Sequence, residues 1–187
     1  MSITVDPETR FKVLTPPITE GDVSQLHAGD EVFVTGNIYT ARDAAHKRLT
    51  ETLERGDPLP VNLENQVLYY VGPSPAKPGQ VIGSAGPTTS GRVDTYTPRL
   101  LEAGVKATIG KGHRNAAVRQ ALQEYKAVYL AAYAGTGVII ARHIKRVEIV
   151  AYEDLGPEAI RKLTVERFPC TVMNDIYGMD LFEQSLV

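Results

Sequence analysis

Cysteine is nearly absent from this sequence, since Cys170 is the only one among 187 residues. A single cysteine excludes a disulfide within the chain and a metal site built from several thiolates. It also excludes an iron–sulfur cluster held by this chain alone, because such clusters take several Cys thiolates. Cys170 lies in an apolar strand pattern, and we expect it to be a core residue.

Other absences narrow the choice of partners. Trp is missing, aromatic residues make up 7% and the formal net charge is -2, so the basic and aromatic surface of a nucleic-acid-binding protein is not predicted. No apolar run is long enough for a membrane span. The N-terminal segment MSITVDPETRFKVLTPP lacks the charged and apolar regions of a secretory signal. We therefore expect a cytoplasmic protein that binds neither nucleic acid nor membrane.

What is present is an ordinary globular composition. Hydrophobic residues make up 43% and charged residues 22%, which fits a single domain over residues 1–187. The four histidines have neither HxH nor HExxH spacing, so no metal site is predicted in this chain.

Strand and helix patterns alternate along the chain. Strands are predicted at 11–14, 31–39, 66–72, 80–84, 105–109, 127–133 and 147–152, with a strand pair broken at Pro169 within 163–172. Helices are predicted at 41–53, after Thr97 as N-cap, at 115–125 and at 136–143. Gly36, inside the second strand, indicates a bulge or a close backbone approach. The alternation predicts an α/β layered domain.

Three segments place cationic or hydroxyl side chains beside glycines, at junctions between elements. In the first, TGNIYTARDAAHKR, Arg42 starts a helix that follows a strand. Free N–H groups and a guanidinium at that place suit a carboxylate. The alternative is a solvated helix start with His46 and Lys47 on the outer face, and this segment taken alone favours the alternative.

The second segment, GSAGPTTSGRVD, carries the hydroxyls of Thr88, Thr89 and Ser90 close to Arg92. It is neither a GxGxxG motif nor a Walker A loop. A ligand loop and a Gly-rich turn capped by hydroxyl groups both fit this composition, and the number of hydroxyls moderately favours the ligand loop.

The third segment, IGKGHRN, sets Lys111 between two glycines, after a strand and before a helix. That is the geometry of an anion site, although an exposed loop lysine has the same pattern. His113 and Arg114 are expected to be peripheral. Together the three segments predict a pocket for a small anion with more than one carboxylate.

At GSAGPTTSGRVDTYTPRLLEAG the sequence resembles the β subunit of class I fumarases and L-tartrate dehydratases, and the C-terminal domain of single-chain fumarases. The resemblance extends through TGNIYTARDAAHKRL, IGKGHRN, EDLGPEAI and VERFP in the family's order, from about Gly36 to the C-terminus. Several motifs in register are more specific than any one of them.

The resemblance implies a fold and a reaction. The fold would be a swivelling β/β/α layered domain with mixed sheets. The reaction would be reversible hydration across the C2–C3 bond of a four-carbon dicarboxylate. A separate α subunit would hold a [4Fe–4S] cluster whose open iron binds the hydroxyl and a carboxylate, in an α2β2 heterotetramer.

The resemblance also implies residue roles. Arg42, Arg92 and Lys111 resemble ligands of the substrate carboxylates, and Thr88 resembles the residue that acts as catalytic base. A threonine hydroxyl is a weak base, so Thr88 would need activation by Lys111, Arg92 or a partner group. Fumarate and L-malate are the expected pair. The alternatives are L-tartrate or a mesaconate-type substrate, or a non-catalytic module that binds a dicarboxylate.

Overall fold

The computed structural model describes residues 3–133 and 137–184. The strands are β1 (Ile3–Val5), β2 (Lys12–Leu14), β3 (Glu31–Thr40), β4 (Val67–Tyr69), β5 (Ala107–Gly110), β6 (Val128–Ala132), β7 (Ile144–Ala151) and β8 (Ile160–Asn174). The helices are α1 (Glu20–Val23), α2 (Asp43–Glu54), α3 (Thr97–Glu102), α4 (Ala116–Glu124), α5 (Gly137–Ala141) and α6 (Leu181–Gln184), with 3₁₀ segments at Ser90–Val93 and Glu153–Glu158. None of the described helices has the length and apolar character to cross a membrane.

The eight strands form one mixed sheet, part of which closes on itself. Strands β3, β4, β5 and β6 are parallel neighbours in that order. Strand β8 runs antiparallel to both β6 and β3, and so closes these five strands into a barrel-like ring. Outside the ring, β7 pairs with β8, β2 pairs with β3, and β1 pairs with β2. The predicted α/β class with mixed strands is confirmed.

The closing strand differs from its prediction. A strand pair broken at Pro169 was expected, but β8 is continuous and Pro169 lies opposite Phe33 of β3. On its other edge β8 pairs with β7 up to Val165 and with β6 from Cys170. Pro169 therefore falls in the gap between these partners, where a missing N–H removes no ladder bond on that edge.

Two other local predictions were wrong. Residues 80–84 form no strand, because they are tied across a loop: Ser74 N–H donates to the Ser84 carbonyl at 3.0 Å and Ser84 N–H donates to Ser74 Oγ at 2.8 Å. Thr97 is the first residue of α3 and Tyr96 is its N-cap. The Thr97 hydroxyl instead donates to the Val93 carbonyl at 2.9 Å.

Two further predictions concern the bulge at Gly36 and the helix at 136–143. The bulge at Gly36 is confirmed, since the β3–β8 register shifts between Val34 and Gly36. The helix expected at 136–143 is α5 in its described part, while Thr136 lies outside the described residues.

The ring strands are buried on both faces. Tyr69, Ile109 and Leu130 belong to one core cluster, whereas the adjacent residues Tyr70 and Tyr129 belong to a second cluster. The second cluster includes the apolar sides of helices α2, α3 and α4. Alternate side chains of a strand point to opposite faces, so the helices cover one face of strands whose other face fills the ring. Cys170 lies in the first cluster and is fully buried, as expected of a core residue.

Candidate functional site

Three parallel strands bring the predicted site residues to one edge of the sheet. In the β3–β4–β5 register, Thr40 lies opposite Tyr69, and Tyr69 lies opposite Ile109. Arg42 follows the end of β3 and Lys111 follows the end of β5. Because the carboxyl ends of parallel neighbours meet at one edge, both cations lie around the end of β4, and this is the edge at which parallel α/β sheets and barrels bind ligands.

Thr88 is fixed at the same place by backbone contacts. Its N–H and its hydroxyl both donate to the Tyr70 carbonyl, at 2.8 Å and 3.0 Å. The next residues bond to the chain just after β5, since Ser90 N–H donates to the Lys111 carbonyl at 2.9 Å. The hydroxyl proton of Thr88 is therefore held by a carbonyl, which leaves the lone pairs of Oγ1 available as acceptors.

Glycines allow this close approach at two points. A Cβ added to Gly72 would lie 2.6 Å from Arg42 Nη1 and 2.9 Å from Arg42 Cδ. A Cβ added to Gly110 would collide with the Ser90 hydroxyl and would lie 2.8 Å from Tyr70 Cδ2. The first glycine lets Arg42 lie across the chain just beyond β4, and the second lets the Thr88–Ser90 segment pack on β5.

Two carboxylates hold the arginines. Asp43 Oδ1 accepts from Arg92 Nε at 3.0 Å, while Asp43 Oδ2 lies 3.6 Å from Arg42 Nη2. Glu158 Oε1 lies 3.6 Å from the same Arg42 nitrogen, and Glu158 Oε2 accepts from Ala44 N–H at 2.7 Å. Arg42 is 20% exposed at its side chain and Arg92 is 57% exposed. Arg42 thus forms the inner part of the cluster, and Arg92 forms its rim.

The structure therefore brings together all four residues that the sequence selected. Arg42 and Arg92 share Asp43. Backbone hydrogen bonds join the segment that contains Thr88 to the segment that contains Lys111. Both pairs meet at the end of β4, because Arg42 packs on Gly72 and Thr88 bonds to Tyr70. Their roles in binding and catalysis stay predictions.

Residues 4–185 match the family model described as Fumarase C-terminus. This chain belongs to that family. The predicted family resemblance is thereby confirmed.

Relatives of this Fumarase C-terminus chain fall into two groups by length. Fumarate hydratase class I (aerobic) of Salmonella typhimurium is 37% identical over 175 residues, which cover 91% of this chain and 30% of the relative. Fumarate hydratase 2 of Leishmania major is 36% identical over 166 residues, which cover 88% of this chain and 29% of the relative. L(+)-tartrate dehydratase subunit beta of Escherichia coli is 34% identical over 179 residues, which cover 93% of this chain and 88% of the relative. The chain thus spans under a third of these two fumarases and most of the tartrate dehydratase subunit.

His46 of this Fumarase C-terminus chain is buried, and its favoured placement on the outer face of α2 was wrong. Its ring lies edge-on to Tyr70, with 5.1 Å between the ring centroids. The Arg42 carbonyl lies 2.8 Å from Nδ1 and can only accept, so Nδ1 carries the proton. Burial lowers the pKa of His46 to about 4, which keeps the ring neutral at pH 7. His46 therefore fixes the backbone of Arg42.

Arg114 was expected to be peripheral, but its side chain is fully buried. Its Nε donates to Asp94 Oδ1 at 2.7 Å, and its Nη2 donates to the Thr97 hydroxyl at 2.7 Å. Asp94 Oδ2 also accepts from Asn115 N–H at 2.8 Å. Asp94 lies two residues after Arg92, so this ion pair joins the Arg92 segment to the Lys111 segment. Nothing in the local spacing indicated the pairing. His113, by contrast, is exposed, as expected.

Asp43 and Glu158 were also missed as site residues. Asp43 stands next to Arg42 in the sequence, and Glu158 lies in the EDLGPEAI motif, so the motifs contained both. Their contacts depend on a long-range approach that no local pattern encodes.

Cys170 is the one thiol in the sequence that could be a ligand of an iron–sulfur cluster. Cys170 lies within β8 in the core, where burial raises the pKa of its thiol well above the usual value. A buried, protonated thiol does not fit a cluster ligand. Among the described residues, no group of three or more His, Cys, Asp or Glu could hold a metal ion.

Proposed function

We propose that this chain is the β subunit of an iron–sulfur hydro-lyase that interconverts fumarate and L-malate, active only with a separate α subunit. One observation carries the proposal, namely the four groups around the end of β4. They are the guanidinium groups of Arg42 and Arg92, the ammonium group of Lys111 and the hydroxyl of Thr88. The names of the relatives, fumarate hydratase and L(+)-tartrate dehydratase, support it.

The three cations are assigned to the substrate carboxylates. A dicarboxylate carries two negative charges, and Arg binds a carboxylate through two parallel hydrogen bonds. Arg42 Nε is buried with no hydrogen-bond partner in the part of the chain that the structure describes. An unpaired buried donor costs roughly 1–3 kcal/mol. A shift of the Arg42 guanidinium towards a bound carboxylate would relieve that cost.

The cations also act on the reaction itself. Removing a proton beside a carboxylate spreads negative charge onto that carboxylate as the bond breaks. Arg92 and Lys111, fixed at the rim and at the end of β5, would stabilise this charge as it develops. Cations placed in advance favour the charged transition state over the substrate.

Thr88 is assigned as the catalytic base. In the chain as described, its hydroxyl donates to the Tyr70 carbonyl. Thr88 would act as the alkoxide: its proton would first pass to solvent or to a group of the α subunit, and Oγ1 would then take the proton from the substrate carbon. A neutral hydroxyl is too weak a base for this step unless a neighbouring cation stabilises the alkoxide. Lys111 is the adjacent cation, because Thr89 and Lys111 pair in the sheet.

We assign the [4Fe–4S] cluster to the α subunit, since the one thiol of this chain does not fit it. The proposed assembly is an α2β2 heterotetramer. We further propose that residues 1–187 form one swivelling β/β/α layered domain that moves as a unit against the α subunit. The ring of five strands with helices on one side supports this arrangement.

L-Tartrate is the second candidate substrate. The tartrate dehydratase subunit is matched over 88% of its own length, against 30% for the Salmonella fumarase, so its organisation as a separate subunit is the closer parallel. A mesaconate-type substrate would use the same cations. A non-catalytic dicarboxylate-binding module is the alternative from another class, and the presence of all four predicted residues argues against it.

Anaerobic reconstitution tests the proposal. The chain is co-expressed with its α subunit, and loss of the fumarate ultraviolet absorbance is followed for the mixture and for each chain alone. We expect activity in the mixture only, and repetition with L-tartrate and mesaconate names the substrate. The variant Arg92→Ala should fold normally and turn over at least about a hundredfold more slowly. A formed complex with an intact cluster but no activity on any of the three acids would contradict the proposal.

A further inference from the structure

A groove of about 720 Å³ opens beside the candidate site. One wall is the loop of residues 74–84 that follows β4. The other wall is α5 together with Arg142 and the first residues of β7. The side chains that matter here are those of Lys77, Val81, Val138, Arg142 and Lys145.

Aliphatic side chains are exposed along this groove. Val81 is 52% exposed and Val138 is 67% exposed, on opposite walls. Ile82 and Ile144 add further aliphatic lining, although both are buried. A single exposed aliphatic residue is ordinary, but several that meet at one concavity mark a binding surface.

The charge of the groove has one sign. Lys77, Arg142 and Lys145 line it, and no carboxylate belongs to its lining among the residues that the structure describes. Lys145 lies 3.9 Å from Glu166, whereas no carboxylate of the described residues comes within ion-pair distance of Lys77 or Arg142. An aliphatic floor edged by three cations, of which Lys77 and Arg142 have no carboxylate partner among the described residues, is complementary to an acidic, aliphatic polypeptide segment.

Both walls of the groove are connected to the candidate site. The first wall begins two residues after Gly72, against which Arg42 packs. On the second wall, the Gly137 carbonyl accepts from Ala85 N–H at 3.1 Å. A Cβ added to Gly137 would lie 2.9 Å from the Gly86 backbone nitrogen. The start of α5 therefore packs on the short segment that leads into Thr88, so each wall of the groove is continuous with a segment that supports Arg42 or Thr88.

We propose that this groove is the docking surface for the α subunit, which places an acidic, aliphatic segment in it. The proposal rests on the proposed function, because a chain that cannot hold the cluster needs its partner beside Thr88 and Arg42. The groove provides a surface at that position whose apolar character and charge suit a polypeptide.

The first test uses Val81→Asp and Val138→Asp in the full chain. The dissociation constant for the α subunit is measured by calorimetry or sedimentation, and thermal unfolding confirms that each variant is folded. We expect each variant to bind about tenfold or more weakly, since a buried carboxylate replaces an apolar contact. Val5→Asp is the matched control, because Val5 is 48% exposed and no residue of β1 lines the groove. It should bind as the wild type does.

The second test reverses a charge at the rim and is independent of the apolar contacts. Arg142→Glu should weaken binding and reduce its dependence on salt. Arg146→Glu is its control, since the Arg146 side chain is 76% exposed and lies outside the groove lining. It should leave the affinity unchanged.

The outcomes separate this proposal from the proposed function. Wild-type affinity in the folded groove variants, or no binding of the α subunit by the wild type, would overturn the docking surface. Self-association of the wild type that is lost in Val138→Asp, with the affinity for the α subunit intact, would also overturn it in favour of a second copy of this chain. Weakened binding by the variants, but not by the controls, supports it even where the wild-type complex has no hydratase activity. A wild-type complex without hydratase activity would contradict the proposed function and leave the docking surface unaffected.

Discussion

Four residues hold Arg42 in place. Gly72 lies beneath its guanidinium, Asp43 and Glu158 lie beside it, and His46 holds its backbone carbonyl. Sequence reasoning could not supply the glycine contact, because Gly72 stands thirty positions away and belongs to no motif. Local spacing identified Arg42 as a candidate, but only the strand register explains why the side chain can lie across the chain just beyond β4.

The substitution Gly72→Ala should separate site geometry from stability. Its new methyl group would meet Arg42 Nη1 at 2.6 Å, and that atom is the far end of a flexible side chain that can move aside. We expect the free energy of unfolding to change by less than about 1 kcal/mol, as for most substitutions outside the core. Activity with the α subunit should fall at least about tenfold, because Arg42 is displaced. Gly21→Ala is the control, because its added Cβ meets only Thr19 Oγ1 at 3.7 Å, an ordinary contact, and Gly21 lies in α1 away from the site. It should leave the activity unchanged.

The buried ring of His46 predicts a pH dependence of stability. Burial lowers the folded-state pKa to about 4 from the ordinary value of 6.5. As the pH falls below 6.5, the unfolded chain takes up a proton that the folded chain refuses, so stability is present above that pH and is lost towards pH 4. We expect a loss of about 2 kcal/mol between pH 7 and pH 5, measured by urea unfolding.

Two variants test the assignment to His46. His46→Gln should remove most of this pH-dependent loss, whatever its effect at pH 7. His27→Gln should keep the loss, because His27 is exposed. An identical slope in the wild type and His46→Gln would contradict the assignment.

At the scale of elements, patterns predicted what local sequence encodes. The apolar face of α2 and the β-branched run of β3 gave nearly correct bounds, and Asn115 is the N-cap of α4 with its side chain accepting from Val118 N–H. Residues 80–84 have a similar apolar character, but two bonds to Ser74 hold them in a loop. Pro169 suggested a break because the neighbours of β8 are not visible in its own sequence.

The Asp94–Arg114 pair should be the strongest polar link between elements. Both side chains are buried, with an N–O distance of 2.7 Å, so removing one partner leaves the other charge without compensation. We expect Asp94→Asn or Arg114→Met to cost about 3–5 kcal/mol in urea unfolding, and the double variant to cost less than the sum. The control is Arg48→Ala, which breaks a pair at 2.8 Å whose side chains are 38% and 66% exposed. It should cost less than about 1 kcal/mol.

At the scale of the whole molecule, closure of the ring was beyond sequence patterns. It depends on β3 pairing with β8, at opposite ends of the chain. Alternation of strands and helices predicted a layered α/β domain, and it is equally consistent with an open sheet. The proximity of the four selected residues was more predictable than the ring around them, because they cluster in three short motifs whose strands end at one edge. Their roles stay predictions.

The closed ring makes Cys170 a reporter of global unfolding. The thiol is fully buried in β8, whose strand pairs with β3 on one edge and with β6 on the other. Burial also raises its pKa well above the usual value, so the native chain presents almost no reactive thiolate. Exposing it requires opening the ring, and local fraying at the chain ends does not do so.

We expect a thiol reagent to label the native chain at a rate that follows the unfolding equilibrium through a urea series, and to label the denatured chain at once. Labelling that is fast in buffer and independent of urea would show that β8 leaves the ring by itself, and would contradict a single cooperative barrel.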